Sequence, residues 1–189
     1  MIIPAGQGRP HRRIDVHLRA ARPRDAAGIA RVHVDSWRDT YAGILPAPYL
    51  AGLSYERQTR EWLGHLARPG NASFVAESEA QGVIGFINGG PERTGRNNRF
   101  FSEVYVLYLL PHCQRRGVGR DLMTAFAAEV MKIGLRTMQV WVLSENPSRA
   151  FYAALGGEQV AEKSIEVGGA KLKEIAYAWT DLRALIQAS

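Results

Sequence analysis

The strongest chemical signal in the sequence is the stretch Gln114-Arg115-Arg116-Gly117-Val118-Gly119-Arg120. It follows an apolar run, Val104 to Leu110, and a proline, Pro111; a helix-like stretch from Asp121 to Val130 comes next. A tight loop with two glycines between a strand and a helix leaves several backbone N–H groups without helical partners, all pointing one way. With the helix dipole they form an anion site. A Cβ in place of either glycine would hold a phosphate off the backbone. Arg115, Arg116 and Arg120 add charge beside it, so the loop reads as a pyrophosphate cradle. By composition alone it reads equally as a helix start, with glycines for the turn and arginines for solubility. A Walker loop is absent, and the third glycine of a dinucleotide fingerprint would fall on Leu122.

Two further stretches narrow the choice. Asn146-Pro147-Ser148-Arg149-Ala150-Phe151-Tyr152-Ala153-Ala154-Leu155-Gly156-Gly157 lies downstream, and Ser36-Trp37-Arg38-Asp39-Thr40-Tyr41-Ala42-Gly43-Ile44-Leu45-Pro46 upstream. Gln114 to Gly119 matches the Gln/Arg-x-x-Gly-x-Gly signature of the GNAT acetyltransferase superfamily. The downstream stretch resembles that family's Asn-x-x-Ala-x-x-Phe-Tyr-x-x-x-Gly-Phe motif. Two departures stand: Gly157 replaces the usual Phe, and Ala150 lies one place nearer to Phe151. The upstream stretch resembles members with Ser-Trp-Arg-x-Thr-Tyr-x-Gly-x-Leu-Pro. One motif alone is weakly specific; three in order, over residues 14 to 180, make the resemblance specific.

The resemblance implies acetyl-CoA as co-substrate and direct transfer to an amine. It places the pantetheine arm beside Leu107, Tyr108 and Leu109, on a strand splayed from its neighbour. Free backbone groups there would pair with the amide-bearing arm as an added strand does. The Leu109 N–H would face the acetyl carbonyl and stabilise the oxyanion formed during attack. Asn146 matches a residue that holds the arm, and its type also suits a helix N-cap. Tyr152 matches a phenol near the sulfur. A tyrosine pKa near 10 is close to that of a thiol, which suits a general acid; a core tyrosine is the plain alternative.

A primary amine with a pKa near 10.4 is only about 0.1% neutral near pH 7.4, so a base helps. Glu103 matches the position where some members, notably histone acetyltransferases, carry one. The alternatives are a solvated strand-edge charge and a water chain. Trp37 and Tyr41 are either core or part of the acceptor wall, and Tyr105 is placed with them. His33 reads as packed rather than as ligand or base. An acetyl-cysteine on Cys113 is chemically conceivable, but the family's direct transfer does without it. No multi-cysteine metal site can form from one cysteine, and no metal is expected.

These residues need a frame. The pattern predicts strands at about 14–19, 73–77, 83–89, 101–110, 138–142, 158–167 and 170–180. It predicts helices from Pro23 to about Gly43, Pro48 to Gly52, Tyr55 to Leu66, Gly117 to Lys132 and Asn146 to Gly156. Hairpins fall at 79–82 and at Gly168-Gly169, and a polar turn at 94–98. The expected fold is a single α/β domain over 14–189: a mixed, mostly antiparallel sheet of six to seven strands with helices on both faces. A length of 189 residues suits one domain.

The net charge of +6 is uneven. Residues 1–24 hold six arginines against one acid, Asp15. Residues 1–13 read as a disordered basic tail. The rest is nearly neutral, which argues against nucleic acid as a main partner. No apolar run reaches the roughly 18–20 residues that span a bilayer, and no secretory signal is apparent. The expectation is therefore a cytoplasmic enzyme without a membrane partner, acting on a small-molecule amine. A homodimer is compatible with the resemblance. A protein or peptide amine, and a non-catalytic acyl-CoA-binding regulator, remain as alternatives. Retention of both Glu103 and Tyr152 argues against the regulator.

Overall fold

The computed structural model describes residues 15–94 and 99–187. The expected tail 1–13 and most of the polar turn 94–98 lie outside them. Seven strands form one sheet: β1 (Val16–Ala20), β2 (Ala72–Ser78), β3 (Gly82–Pro91), β4 (Ser102–Leu109), β5 (Met138–Leu143), β6 (Glu158–Val167) and β7 (Ala170–Trp179). Their spatial order is β1-β2-β3-β4-β5-β7-β6. Every neighbouring pair is antiparallel except β4 and β5. The expected mixed, mostly antiparallel sheet is thus present.

Helices α1 (Ala26–Thr40), α2 (Ala47–Ala51) and α3 (Tyr55–Leu66) precede β2. Helix α1 buries Ile29, Ala30, Val32 and Val34. Its His33 and the α3 residue Trp62 lie against Phe86 of β3. Helix α4 (Val118–Lys132) takes the opposite face, burying Leu122, Met123, Phe126, Ala127 and Val130. That helical spacing turns one stripe to the sheet, and each large side chain contributes about 1.5–3 kcal/mol by burial. Helices α5 (Arg149–Ala154) and α6 (Leu182–Gln187) complete the chain. The sequence pattern missed α6, a helix of six residues whose Leu182 and Leu185 are buried.

Pro23–Asp25 forms a 3-10 turn ahead of α1. The Asp25 carboxylate accepts from Arg19 at 2.7 and 2.8 Å and from the Arg22 N–H at 2.7 Å. Arg19 also donates to Glu77 at 2.8 Å, so it fastens β1 to β2 and to the start of α1. One arginine of the basic first stretch therefore belongs to the folded body.

A smaller core lies beside the main one. Val34, Tyr41, Leu45, Leu50, Leu53 and Leu143 are buried together, with Ile165, Val167 and Leu172 packed against them. It joins the α1–α2 segment to the β6–β7 hairpin. Among the described residues, no helix is long and apolar enough to cross a membrane.

Candidate active site

The site begins with a fault in the sheet. Asn88 faces Val106 and Gly89 faces Val104, so Tyr105 is an extra residue on β4. Such a bulge bends its strand and disrupts the ladder. β4 pairs with β5 only through Ser102, Glu103 and Val104. The pairing stops one residue before the bulge, while β5 continues to Leu143, held by β7. The two strands part from Tyr105 onward.

The backbone in this opening has a definite orientation. Leu110 N donates to Ile84 O at 2.9 Å. With Gly85 opposite Leu109, the hydrogen-bonded pairs are Ile84–Leu110 and Phe86–Tyr108. Leu107 and Leu109 then occupy the intervening non-bonded pairs, whose N–H and C=O groups point away from β3. The Leu109 carbonyl accepts from Ser36 Oγ at 3.2 Å and Gln114 Nε2 at 3.3 Å. The Leu109 N–H and both groups of Leu107 have no partner among the described residues.

Gly117 caps α4 with φ 89°, in the left-handed region that favours glycine, and Arg115 shares that region at φ 61°. The first helical bond runs from Asp121 N to Gly117 O, at 3.1 Å. The N–H groups of Val118 and Gly119, in the first turn, are therefore among those the helix leaves for an outside acceptor. A Cβ on Gly117 would meet nothing within 4 Å. One on Gly119 would stand 3.3 Å from the Phe151 ring and 3.6 Å from Leu109. Gly119 thus lets α5 and β4 close on α4; the expectation that its missing Cβ only clears the way for an anion is incomplete.

Three phenols meet where the strands part: Tyr41 at the end of α1, Tyr108 on β4 and Tyr152 on α5. Asn146 Nδ2 donates to the Tyr41 hydroxyl at 3.3 Å. Tyr108 packs against the small core that contains Tyr41. The Tyr152 hydroxyl bonds to no described residue. Burial is the main cause that raises the pKa of all three. Trp37 packs edge-on against Tyr41. Its Nε1 is buried with no hydrogen-bond partner among the described residues.

Behind Tyr108, His33 stacks at 5.2 Å and accepts from Trp62 Nε1 at Nδ1 over 3.1 Å. Burial, then the nearby His65, lowers its pKa to about 4, so the ring is neutral and packed. Asn146 Oδ1 accepts from Ser148 N at 2.8 Å, an Asx turn that delays α5 to Arg149. The expected helix start at Asn146 is thus three residues early. Arg149 donates to Ser144 O at 2.6 Å, with its Nε buried and unpartnered. It lines a cavity of about 440 Å³ with Ser144, Asn146, Ala153 and Tyr177. The opening, these unclaimed N–H groups and the α4 terminus suit an extended ligand rich in carbonyl and amide groups that ends in an anion.

The model of the acetyltransferase (GNAT) family matches residues 32–156. The chain belongs to this family. It is similar to the uncharacterized N-acetyltransferase YuaI of Bacillus subtilis, 41% identical over 170 residues, or 90% of this chain and 96% of YuaI. An N-acetyltransferase structure from Staphylococcus aureus superposes with a TM-score of 0.71 at 19% identity, covering 89% of this chain and 99% of that one. The acetyltransferase yncA of Salmonella typhimurium, solved with acetyl-CoA, gives 0.68 at 21% identity, covering 89% and 94%.

Against this GNAT frame, most residues singled out in the sequence gather at the opening: Trp37, Tyr41, Leu107, Tyr108, Leu109, Gln114 to Arg120, Asn146 and Tyr152. Glu103 and Tyr105 do not join the phenols. Glu103 lies six residues before Leu109, on the order of 20 Å along the strand. It is 2% exposed, and its carboxylate accepts from Arg93 through Nε at 2.8 Å, Nη2, and the backbone N–H at 3.3 Å. The Arg93 guanidinium stacks over the Tyr105 ring at 4.8 Å, and the Tyr105 hydroxyl donates to Pro91 O at 2.6 Å. Cys113 is fully buried, and burial raises its thiol pKa, the reverse of what a nucleophile needs.

The Gly157 departure has a local cause. A Cβ there would lie 2.8 Å from the Trp179 ring, whose Nε1 donates to Leu155 O at 2.9 Å. Trp179 fills the space beside the end of α5. Sequence reasoning missed the Tyr105 bulge, the side-chain part of Tyr108, and Arg93. No local signal marks them: Val104 to Leu110 reads as one uninterrupted strand, and Arg93 as a turn cation.

Proposed function

We propose that the protein is an acetyl-CoA-dependent N-acetyltransferase that acts on a primary amine of a small molecule by direct transfer. The observation that carries this is the parting of β4 from β5 at Tyr105, which turns the backbone of Leu107 and Leu109 into the opening. Acetyl-CoA bound there supplies an activated acetyl thioester. Leu107 and Leu109 pair with the amide-bearing arm as an added strand does. The N–H groups of Val118 and Gly119, with Arg115 and Arg116 beside them, take the pyrophosphate. Asn146 holds the arm near Tyr41. YuaI, named an N-acetyltransferase, and the acetyl-CoA in the yncA structure support the reading.

The chain's own groups divide the chemistry. Leu109 N–H donates to the acetyl carbonyl oxygen as negative charge builds there, a contribution typically worth about 10²–10³ in rate. Tyr152 Oη carries the proton for the departing sulfur. Burial raises that phenol's pKa away from the thiol's, so it stays protonated at neutral pH and gives up its proton only as charge builds on the sulfur. Glu103, expected as base, is instead committed to Arg93, and the amine loses its proton to solvent. Holding both reactants in one cleft supplies the proximity that direct transfer relies on.

A small acceptor fits the cover of the site. Tyr41 and Tyr108 pack with Leu45, Leu50, Leu143, Ile165 and Leu172, and the hairpin tip at Gly168 lies against Tyr49. This roof supports a small molecule over a residue of a folded protein. Thiol release from acetyl-CoA, measured across a panel of small amines and lysine peptides, tests the proposal. Turnover with small amines supports it; turnover with peptides alone, or with neither, overturns it.

A further inference from the structure

The sheet face that carries the small core also carries two ion pairs. Directly opposed residues share a face. Glu103 opposes Gln139, Leu143 opposes Glu174, and Glu174 opposes Lys163. Gln139, Trp141 and Leu143 alternate along β5 and so lie on one side. Leu143 packs with Tyr41 and Val34, which makes this the α1 side. The Arg93–Glu103 pair and the Lys163–Glu174 pair thus flank the opening between β4 and β5 on the side of Trp37 and Tyr41.

Both pairs are built alike. Arg93 lies over Tyr105 at 4.8 Å, and Lys163 over Trp141 at 3.9 Å. In each, the carboxylate is inside and the cation outside: Glu103 is 2% exposed against 55% for Arg93, and Glu174 20% against 44% for Lys163. A second ammonium on the acceptor would meet cations first, with the carboxylates already taken. An acid group would meet available donors.

Of the two cations Arg93 is the better fixed. Two bonds from Nε and Nη2 to Glu103 and the Tyr105 ring hold its guanidinium, the Arg93 backbone N–H adds a third bond to the same carboxylate, and Nη1 bonds to no described residue. A planar fork held on one edge by a buried carboxylate presents the other edge preorganised for a second carboxylate. Tyr105 is three residues, roughly 10 Å, along β4 from Tyr108 and the phenols.

We propose that Arg93 anchors a carboxylate on the acceptor, so that the substrate class is a primary amine bearing an acid group up to roughly 13 Å from the reacting nitrogen, the distance along β4 from Tyr105 to Leu109. Glu103 is the positioning residue for Arg93. This rests on the acetyltransferase reading of the same cleft.

The test compares straight-chain ω-amino carboxylic acids with n-alkylamines of equal length, using the full chain and acetyl-CoA. Wild type should favour the acids in kcat/KM by about 10–100-fold, the usual worth of charged hydrogen bonds. Arg93→Gln should erase that ratio through KM. Because Arg93→Gln leaves Glu103 buried and unpaired, the double variant Arg93→Gln/Glu103→Gln is measured alongside, and Arg93→Lys should recover only part of the ratio. Calorimetry of the same acids with the protein and coenzyme A gives a readout that needs no turnover. Alkylamine turnover without acid preference would overturn the anchor and leave the acetyltransferase reading standing. Acid binding that depends on Arg93 without any turnover would support the anchor and overturn that reading. Acid binding that is unaffected in both Gln variants would overturn the anchor alone.

Discussion

Asn146, in the turn before α5, donates to the hydroxyl of Tyr41, at the end of α1, across 3.3 Å and 105 residues of chain. The bond ties the two stretches that flank the opening at the point where β4 and β5 separate. Tyr41 also packs with Tyr108, while the Tyr152 hydroxyl bonds to no described residue.

That free hydroxyl leads to the first expected outcome. Tyr152→Phe keeps the ring beside Phe151, Tyr177 and Trp179 and removes only the O–H. The rate should fall by about 10²–10⁴, mainly in kcat, with little change in the coenzyme A dissociation constant. Steady-state kinetics with calorimetry decide it. A wild-type kcat in a folded variant would remove Tyr152 from the chemistry, and a large loss of affinity would make it a binding residue.

Gly119→Val should act through packing as well as through the ligand. The new side chain would press on Phe151 and Leu109. Overpacking of this kind costs about 1–3 kcal/mol, and the displaced loop should lose coenzyme A affinity. Urea unfolding and calorimetry measure the two effects. Wild-type affinity in the folded variant would show that the loop is not the cradle.

Glu103→Gln distinguishes an anchor from a base. A base variant loses most kcat/KM near neutral pH and recovers at high pH, where the amine is already neutral. An anchor variant loses the same factor at every pH. The pairing of Glu103 with Arg93 predicts the flat profile. It also predicts that Arg93→Ala destabilises the fold more than Glu103→Gln, because only the former strands a buried charge.

His33 sets a pH dependence of stability. Its pKa is about 4 in the fold against an ordinary 6.5. The unfolded chain therefore binds the proton first, and stability falls as pH drops from about 6.5 toward 4. The loss is on the order of 3 kcal/mol. His33→Gln keeps an acceptor for Trp62 Nε1 and should flatten that part of the curve. Urea melts at pH 7 and pH 4.5 compare the slopes; an unchanged slope in the variant would exonerate His33.

Much of this was legible in the residues. Alternation and turn chemistry located all seven strands, and the glycines and arginines of Gln114 to Arg120 located the start of α4. The family motifs located Asn146, Tyr152 and the Trp37–Tyr41 stretch. What escaped has physical reasons. The Tyr105 bulge depends on how β3 and β4 register, and nothing in Val104 to Leu110 differs from a regular strand. Glu103 read as a base because position along a strand says nothing of the partner that reaches it, and Arg93 is brought to it by the β3–β4 turn. Asn146 suited an N-cap by type, but its turn ends on Ser148.

The central claim is that the Leu109 N–H, unused by the β3 ladder, faces the reacting carbonyl. Replacing that one amide by an ester deletes the donor and leaves the side chain in place. The kcat for acetyl transfer to a primary amine should then fall by about 10²–10³ in a protein that still folds and binds coenzyme A. Equal kcat values for the ester and amide proteins would contradict the account.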